Sequence, residues 1–216
     1  MMYMTQKAEN TRASILDSAM NRFLKEGFSG ASLRAILQDV GLTTGAFYKY
    51  FPGREALFDA LVDPYVEHIY EIYDRILDEF QQKTPDEQTQ SMADTSARGM
   101  DQMIDYVYDN YDHFRLLRLC GDTGKYEDFI HNMVEREISS TRKYLADLKA
   151  SGVSVNEVSD GVMHMIYTGF FSSVFQIIEH DIDRDTAKEN VDQLRTFQTG
   201  GWERLWNVKF DETPES

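Results

Sequence analysis

Apolar residues recur at helical spacing along almost the whole chain, and this pattern limits the possible folds more than any other feature. Near the start, Ile15, Ala19 and Phe23 lie four residues apart, as they would on one face of an α-helix. No segment sustains the alternation of period two that marks a half-buried strand. The sequence therefore predicts an all-α protein of about nine helices.

Glycine, proline and polar stretches set the predicted helix boundaries. A first helix over Thr5–Glu26 is expected to stop at Gly27. Pro64 either kinks one long helix or begins a new one. Residues 83–95 are polar and predict a loop or a weak helix start, and a helix is expected over residues 156–180.

Charge is unevenly distributed along the 216 residues. The chain has 22 basic and 37 acidic side chains, a net charge of −15, whereas nucleic-acid-binding domains usually carry a basic excess. Residues 1–54, however, hold seven basic and four acidic side chains, so their net charge is +3 and the remainder carries −18. Net acidity therefore does not exclude DNA binding by the N-terminal part.

Cysteine content and apolar runs bear on location. A single cysteine, Cys120, excludes an intramolecular disulfide and a cysteine-cluster metal site, and it suits a reducing cytoplasm. The N-terminal residues have no apolar core of a signal peptide. Residues 161–178 contain no charged side chain, but internal polar residues favour a buried helix over a membrane span. We expect a cytoplasmic protein with no membrane partner.

Residues 32–50 predict a helix-turn-helix. Two short helices are joined by a turn at Gly41. The apolar face of the first comprises Leu33, Ile36, Leu37 and Val40, and the second has Phe47. The second helix is too short to be stable alone, and a docked short helix with a polar face fits the major groove of DNA. A purely structural helical hairpin is the alternative.

The run SLRAILQDVGLTTGAFYKYFPGREALFDAL, residues 32–61, resembles the DNA-binding head of the TetR family of transcriptional regulators. Matching features extend over residues 11–62, and the most specific is Gly-Ala-Phe-Tyr-Lys-Tyr-Phe at 45–51, followed by basic Arg54. Pro52-Gly53 departs from the family pattern and puts the Arg54 contact in doubt. The resemblance implies a DNA-binding head over residues 1–54.

The resemblance also implies a role for each matching side chain. Ser32 at a helix N-terminus would donate to a phosphate, and Arg34 would reach guanine, although a solvated surface arginine is the alternative. Tyr48 and Tyr50 would hold phosphates. The predicted DNA contacts are Ser32, Arg34, Thr43, Thr44, Gly45, Ala46, Tyr48, Lys49, Tyr50 and Arg54.

Residues 55–210 are predicted to form a helical regulatory domain, and residues 211–216 a disordered tail. In the family, the last two helices of each protomer form a four-helix bundle across a two-fold axis. The uncharged run supports this, since burial on both sides would explain its composition. The predicted homodimer interface comprises Gly161, Met165, Gly169, Phe170, Ser173, Phe197 and Trp202.

The remaining helices are expected to enclose a pocket for a small-molecule effector. Apolar and aromatic side chains, a few of them with polar end groups, suit the binding of a small molecule. Residues of this kind are, however, more often ordinary members of the hydrophobic core. The candidate ligand-binding residues are Met103, Tyr106, Tyr108, Tyr111, His113, Phe114, Leu117, His164, Tyr167 and Phe171.

The sequence contains no recognisable catalytic motif. His131 and Glu135 lie at i and i+4, which is typical of a surface pair more than of a metal site. The sequence thus predicts no enzyme activity, no metal and no cofactor. It predicts a dimeric, ligand-responsive regulator, most simply a repressor of a palindromic double-stranded DNA operator. The alternatives are a ligand-binding or scaffold protein without specific DNA binding, and an enzyme that uses the pocket.

Overall fold

A computed structural model describes residues 2–210, with side chains from residue 6 onward. The predicted disordered tail, residues 211–216, lies outside the described residues. Within residues 2–210 the regular secondary structure is helical and no strand is present. The all-α prediction is confirmed.

The helical elements follow one another along the chain with short connections. They are α1 (Met2–Gly30), α2 (Leu33–Asp39), α3 (Thr44–Phe47), α4 (Arg54–Gln81), α5 (Pro85–Asp109), α6 (Tyr111–Leu119), a short 3-10 helix (Gly121–Thr123), α7 (Lys125–Ala150), α8 (Asp160–Val174), α9 (Gln176–Glu179) and α10 (Arg184–Trp206).

The structure changes the predicted ends of two early helices. Gly27 does interrupt α1, with φ 73°, but a further helical turn follows and α1 ends at Gly30 rather than Glu26. Left-handed φ values are accessible to glycine, which lets the chain bend there and re-enter a helix. Pro64 lies inside α4, so one continuous helix is formed and the predicted alternative of a new helix does not apply.

The start of α5 decides between the two alternatives predicted for residues 83–95, because a helix begins there and not a loop. Thr84 and Glu87 form a reciprocal cap: Glu87 Oε2 accepts from the Thr84 backbone N–H at 2.9 Å, and Thr84 Oγ1 accepts from the Glu87 N–H at 3.4 Å. Pro85 occupies the first turn, where a missing N–H is harmless. Gln88 is fully buried and donates to Phe80 O. Capping therefore outweighs the low hydrophobicity of this segment.

The helix predicted over residues 156–180 is shorter and divided. Ser159 caps α8 by accepting from the Val162 N–H, and the helix breaks at Phe175 before the single turn of α9. The stretch Asp160–Glu179 is apolar and long enough to cross a membrane by length and composition, and less than half of it is buried. The absence of a membrane partner stays a prediction.

The chain divides into two compact units. The N-terminal unit contains residues 2–67 and 110–126, and the C-terminal unit contains residues 68–109 and 127–210. This division differs from the predicted boundary after residue 54, because α1 packs against α6 as well as against α2. Buried residues of the N-terminal unit therefore come from distant parts of the chain. They include Ile15, Phe23, Phe58, Leu117 and Cys120.

In the C-terminal unit, α10 packs against α5 and α8. Gly99 of α5 lies where a β-carbon would approach Ile76 Cδ1 to 3.1 Å, so a larger residue would require the Ile76 side chain to shift by a few tenths of an ångström. The core of this unit is rich in aromatic rings, and it surrounds a cavity.

The Thr84 cap can be tested directly. We expect Thr84→Ala to lower the free energy of unfolding by about 1 kcal/mol, because α5 loses the acceptor for its first N–H groups. Urea denaturation measures the change. Thr196→Ala, at an exposed position inside α10, is the control and should change stability by less than about 0.5 kcal/mol. Equal losses in the two variants would contradict this account of the α5 start.

Candidate functional site

The helix-turn-helix is formed by α2, a turn at Gly41 and α3. Gly41 has φ 68°, and the Leu42 N–H donates to Leu37 O at 2.9 Å, which closes the turn. Ile36 and Leu37 anchor α2 in the core, whereas α3 has only one buried side chain, Phe47. A single turn of helix is thus held in place by one aromatic anchor and its caps.

Two hydroxyl groups cap these short helices. Ser32 Oγ accepts from the Ala35 N–H at 3.1 Å, and Thr43 Oγ1 accepts from the Ala46 N–H at 3.3 Å. A hydroxyl that accepts in this way still has its own proton to donate. Both groups lie at helix N-termini, where backbone N–H groups and the helix dipole favour a negative ligand such as phosphate.

The predicted contact residues differ in exposure. Arg34 and Lys49 are exposed and form no ion pair among the described side chains, and Tyr48 is 57% exposed. Thr44 and Gly45 are also exposed, whereas Ala46 and Tyr50 are half-buried. A β-carbon at Gly45 would meet nothing within 4 Å, so the protein's own packing does not require glycine there. The position suits close approach by an external molecule.

Arg54 is engaged inside the N-terminal unit rather than free. Its Nη1 donates to Ala31 O at 3.0 Å, and its guanidinium lies 4.2 Å from the ring centre of Phe28. Phe28 in turn packs edge-on against Phe58. These contacts join the start of α4 to the end of α1. The predicted phosphate contact of Arg54 would compete with them, and it stays a prediction.

An ion pair that the sequence did not reveal joins α1 to α2. Arg22 Nε and Nη2 donate to the two carboxylate oxygens of Asp39 at 2.8 and 2.9 Å, and Ser18 Oγ donates to the same carboxylate. The hydrogen bond from Arg22 lowers the pKa of Asp39. The two residues are 17 positions apart, so no local pattern links them. The pair fixes the end of α2 that leads into the turn.

A cavity of about 140 Å³ lies within the C-terminal unit. Helices α4, α5, α7, α8 and α10 contribute to its wall. The wall comprises Tyr73, Ile76, Leu77, Phe80, Met92, Thr95, Ser96, Gly99, Met100, Met103, Glu137, Ser140, Thr141, Tyr144, Tyr167, Phe170, Phe171, Arg195, Gln198, Thr199, Trp202, Trp206 and Phe210. Most of these side chains are apolar or aromatic, as in small-molecule sites.

The structure brings only some of the predicted ligand-binding residues to this cavity. Met103, Tyr167 and Phe171 are in the wall. Two residues assigned to the dimer interface, Phe170 and Trp202, are buried and lie in the wall as well. Their assignment to the interface stays a prediction. Exposed positions of that predicted interface are Gly161, Met165, Gly169 and Phe197, whereas Ser173 is half-buried.

The other predicted ligand-binding residues lie elsewhere. Phe114 and Leu117 are core residues of the N-terminal unit, where His113 stacks on Tyr65, and Tyr111 belongs to the same unit. Tyr108 OH donates to Ile182 O at 2.6 Å, and the ring of Tyr106 lies 4.5 Å from that of His68. Helical periodicity marks such residues as buried but does not show which core they join.

Glu137 is the acidic side chain of the cavity wall, and no pattern in the sequence marks it as a site residue. Tyr73 OH donates to Glu137 Oε2, and Tyr167 OH is 2.9 Å from Thr141 Oγ1. Burial raises the pKa of Glu137, and hydrogen bonds from Tyr73 and Tyr167 oppose that rise. Burial, followed by the nearby Glu137 charge, raises the pKa of both tyrosines. The phenols therefore stay protonated donors.

Two stacked indoles complete the wall. The rings of Trp202 and Trp206 lie 4.3 Å apart and nearly parallel, and Tyr167 lies 4.9 Å from Trp202. Both indole Nε1 atoms are buried without a hydrogen-bond partner among the described residues. Unsatisfied buried donors cost free energy, so this wall is less stable than a fully paired one.

A separate cluster of possible metal ligands consists of His131 and Glu135 on α7 and His164 on α8. His131, Glu135 and His164 place one ligand atom each within 4.8 Å of the others. His131 and Glu135 are exposed, and His164 is half-buried. The absence of a metal stays a prediction.

Comparison with known proteins gives matches concentrated in the N-terminal part. Residues 15–61 match the family model described as bacterial regulatory proteins, tetR family. The transcriptional regulator UidR of Escherichia coli is 36% identical over 59 residues, 27% of this chain and 30% of UidR. The regulator YdgC of Bacillus subtilis is 30% identical over 74 residues, 34% of this chain and 38% of YdgC. The match thus spans about a third of these relatives.

Similarity of fold extends over more of the chain. A TetR family transcriptional regulator from Thermus thermophilus, PfmR, superposes with a TM-score of 0.56 at 18% identity, covering 83% of this chain and 96% of PfmR. At this identity, the likeness shows a shared fold and does not carry over a ligand or an operator.

The placement of Arg54 predicts a stability effect. Arg54→Ala should lower the free energy of unfolding by about 1 to 2 kcal/mol, because it removes the stacking on Phe28 and the bond to Ala31 O. Urea denaturation measures the loss. Arg34→Ala is the matched control, since Arg34 is exposed and unpaired, and it should stay within about 0.5 kcal/mol of the wild type. A larger loss for Arg34→Ala than for Arg54→Ala would be contrary to the structure.

Proposed function

We propose that the chain is a transcriptional regulator that binds double-stranded operator DNA, because residues 15–61 match the model of the tetR family of bacterial regulatory proteins. One observation carries the proposal: α2 and α3 expose an unpaired cation and two cap hydroxyls beside a glycine that the fold does not need. Arg34 supplies base recognition in the major groove, and Ser32 and Thr43 supply phosphate contacts.

Few cations take part in this interface. Arg34 and Lys49 are free to bind, but Arg54 is held by Phe28 and Ala31 O. Each phosphate contact from a cation adds to the salt dependence of DNA affinity. A shallow salt dependence is therefore expected, with hydroxyl and backbone contacts supplying much of the positioning. The acidic remainder of the chain repels DNA, and this repulsion weakens binding to non-specific sites.

A homodimer is the proposed binding form. Met165 of α8 is 67% exposed and Phe197 of α10 is 82% exposed, and glycines at 161 and 169 keep part of α8 free of side chains. Large apolar side chains at this exposure favour burial against a second copy. A two-fold dimer reads a palindrome, with half-sites about one helical turn apart or slightly more.

The cavity is the proposed effector site, and the regulator is proposed to act as a repressor that a ligand releases. Helix α4 begins with Arg54 in the helix-turn-helix region and carries Tyr73 and Phe80 of the cavity wall on the same continuous helix. A ligand that binds better to one position of α4 would shift the population toward that position and change the spacing of the two heads. A cytoplasmic location is part of the same proposal.

Arg34 provides the test of DNA reading. A mobility-shift assay uses the DNA upstream of the protein's own coding sequence. Arg34→Ala should weaken binding to the specific site by about tenfold or more, because a guanine contact is lost, and should change binding to unrelated duplex much less. Arg98→Ala, an exposed arginine of α5, is the control and should behave as wild type. Failure of the wild type to bind any duplex at low salt would overturn the proposal.

Exposed apolar residues provide the test of the dimer. Gly169→Glu and Phe197→Asp should each shift the sedimentation coefficient from dimer to monomer, because a charge would be buried in the contact. Val153→Asp, which places a charge in the exposed loop before α8, is the control and should remain dimeric. A dimer of unchanged mass in the first two variants would rule out this interface.

A further inference from the structure

The cavity of the C-terminal unit contains a carboxylate without a counter-cation. No ion pair joins Glu137 to a basic side chain in the described part of the chain, and its hydrogen-bond partners are the neutral hydroxyls of Tyr73 and Tyr167. A carboxylate among aromatic rings is costly unless it is protonated or paired with a cation. The wall therefore has a place for a positive charge that the protein itself does not fill.

The basic residue in the described wall is Arg195, and its guanidinium is already occupied. Arg195 Nη2 and Nε donate to Asp192 Oδ1 at 2.6 and 3.2 Å, and Nη1 donates to Ala93 O at 3.3 Å. An anionic ligand would find no free cation in this wall and would face the Glu137 carboxylate. The charge pattern thus disfavours acids and favours bases.

The rest of the wall suits the apolar body of such a ligand. Phe80, Tyr167 and Trp202 present aromatic rings, whose electron-rich faces attract a cation as well as packing against hydrocarbon. The cavity volume of about 140 Å³ is close to the roughly 150 Å³ of a known dry cavity that holds benzene. A volume of this size suits a compact occupant built around one aromatic ring.

From this arrangement we propose that the cavity binds a compact apolar amine in its ammonium form, with the ammonium group paired to Glu137 and the hydrocarbon part among the aromatic rings. Tyr73 holds one carboxylate oxygen, which orients Glu137 before the ligand arrives. That this amine is the effector of DNA release rests on the function proposed above. The binding chemistry itself does not depend on that function.

Isothermal titration of the full chain without DNA tests the chemistry. The probes are phenethylamine, its neutral analogue phenethyl alcohol and its acidic analogue phenylacetate, which have similar size. The amine should bind about tenfold or more tightly than the alcohol, and the acid should bind most weakly, because only the ammonium gains the Glu137 charge. An alcohol or acid that binds as tightly as the amine overturns the proposal, as does an amine that fails to bind at millimolar concentration.

Two matched variants locate the effect. Glu137→Gln keeps the size of the side chain but removes its charge, and it should reduce amine affinity to that of the alcohol. Glu135→Gln makes the same change at an exposed position two residues earlier on α7 and should leave all three affinities unchanged. Unchanged amine binding by Glu137→Gln contradicts the assignment. If that variant fails to fold, as judged by circular dichroism, the wild-type ranking of the three probes still decides.

A mobility-shift assay with phenethylamine separates this inference from the regulatory one. Release of operator DNA together with amine-selective binding supports both. Amine-selective binding without any change in DNA affinity supports the site and overturns its role as the effector site. Absence of DNA binding by the wild type overturns the regulatory function, while the ranking of the probes remains a valid test of the cavity.

Discussion

Helix α3, the proposed recognition helix, consists of four residues, and a helix of one turn has no stability of its own in water. Its position depends on Phe47, which is completely buried and stacks against Phe51, and on the Thr43 cap. Every DNA contact that we propose for α3 inherits its geometry from that anchor. The Arg22–Asp39 pair and the turn at Gly41 fix α2 in the same way. Packing on one side of α3 holds it in place, and Thr44 and Gly45 on the other side stay exposed for the proposed DNA contacts.

The C-terminal unit combines dense packing with a site that is costly to maintain. Gly99 allows α5 to pack closely against Ile76 of α4, and there is little space for a larger side chain at this position. Within the same core, Glu137 lacks a cation and two indole N–H groups lack acceptors. Such groups reduce stability, and departures from full hydrogen-bond pairing in a core are expected at functional sites. The proposed ammonium ligand would pair with Glu137 and offset part of this cost.

The basic side chains of the N-terminal part have two different roles: one stabilises the fold, and others are exposed for the proposed DNA contacts. The weakly basic N-terminal residues include Arg54, which helps to hold α1 and α4 together through Phe28. Arg34 and Lys49 remain exposed. With few free cations, shape and hydrogen bonding would contribute more than charge to the proposed DNA recognition. Overall acidity is therefore compatible with a DNA-binding role, because its distribution matters more than its sum.

Local features of the sequence determined the all-α class, most helix positions and the helix-turn-helix, because periodicity and caps such as Ser32 act within one turn. The Thr84–Glu87 spacing of the α5 cap is also a local feature of the sequence, but the polar residues around it obscured the helix start. Tertiary structure alone decided which buried side chains share a cavity. In the folded chain, Phe170 and Trp202 line the cavity, and Tyr73 forms a hydrogen bond with Glu137, 64 residues further along the chain. Packing between distant helices selects such partners, and no local pattern encodes them.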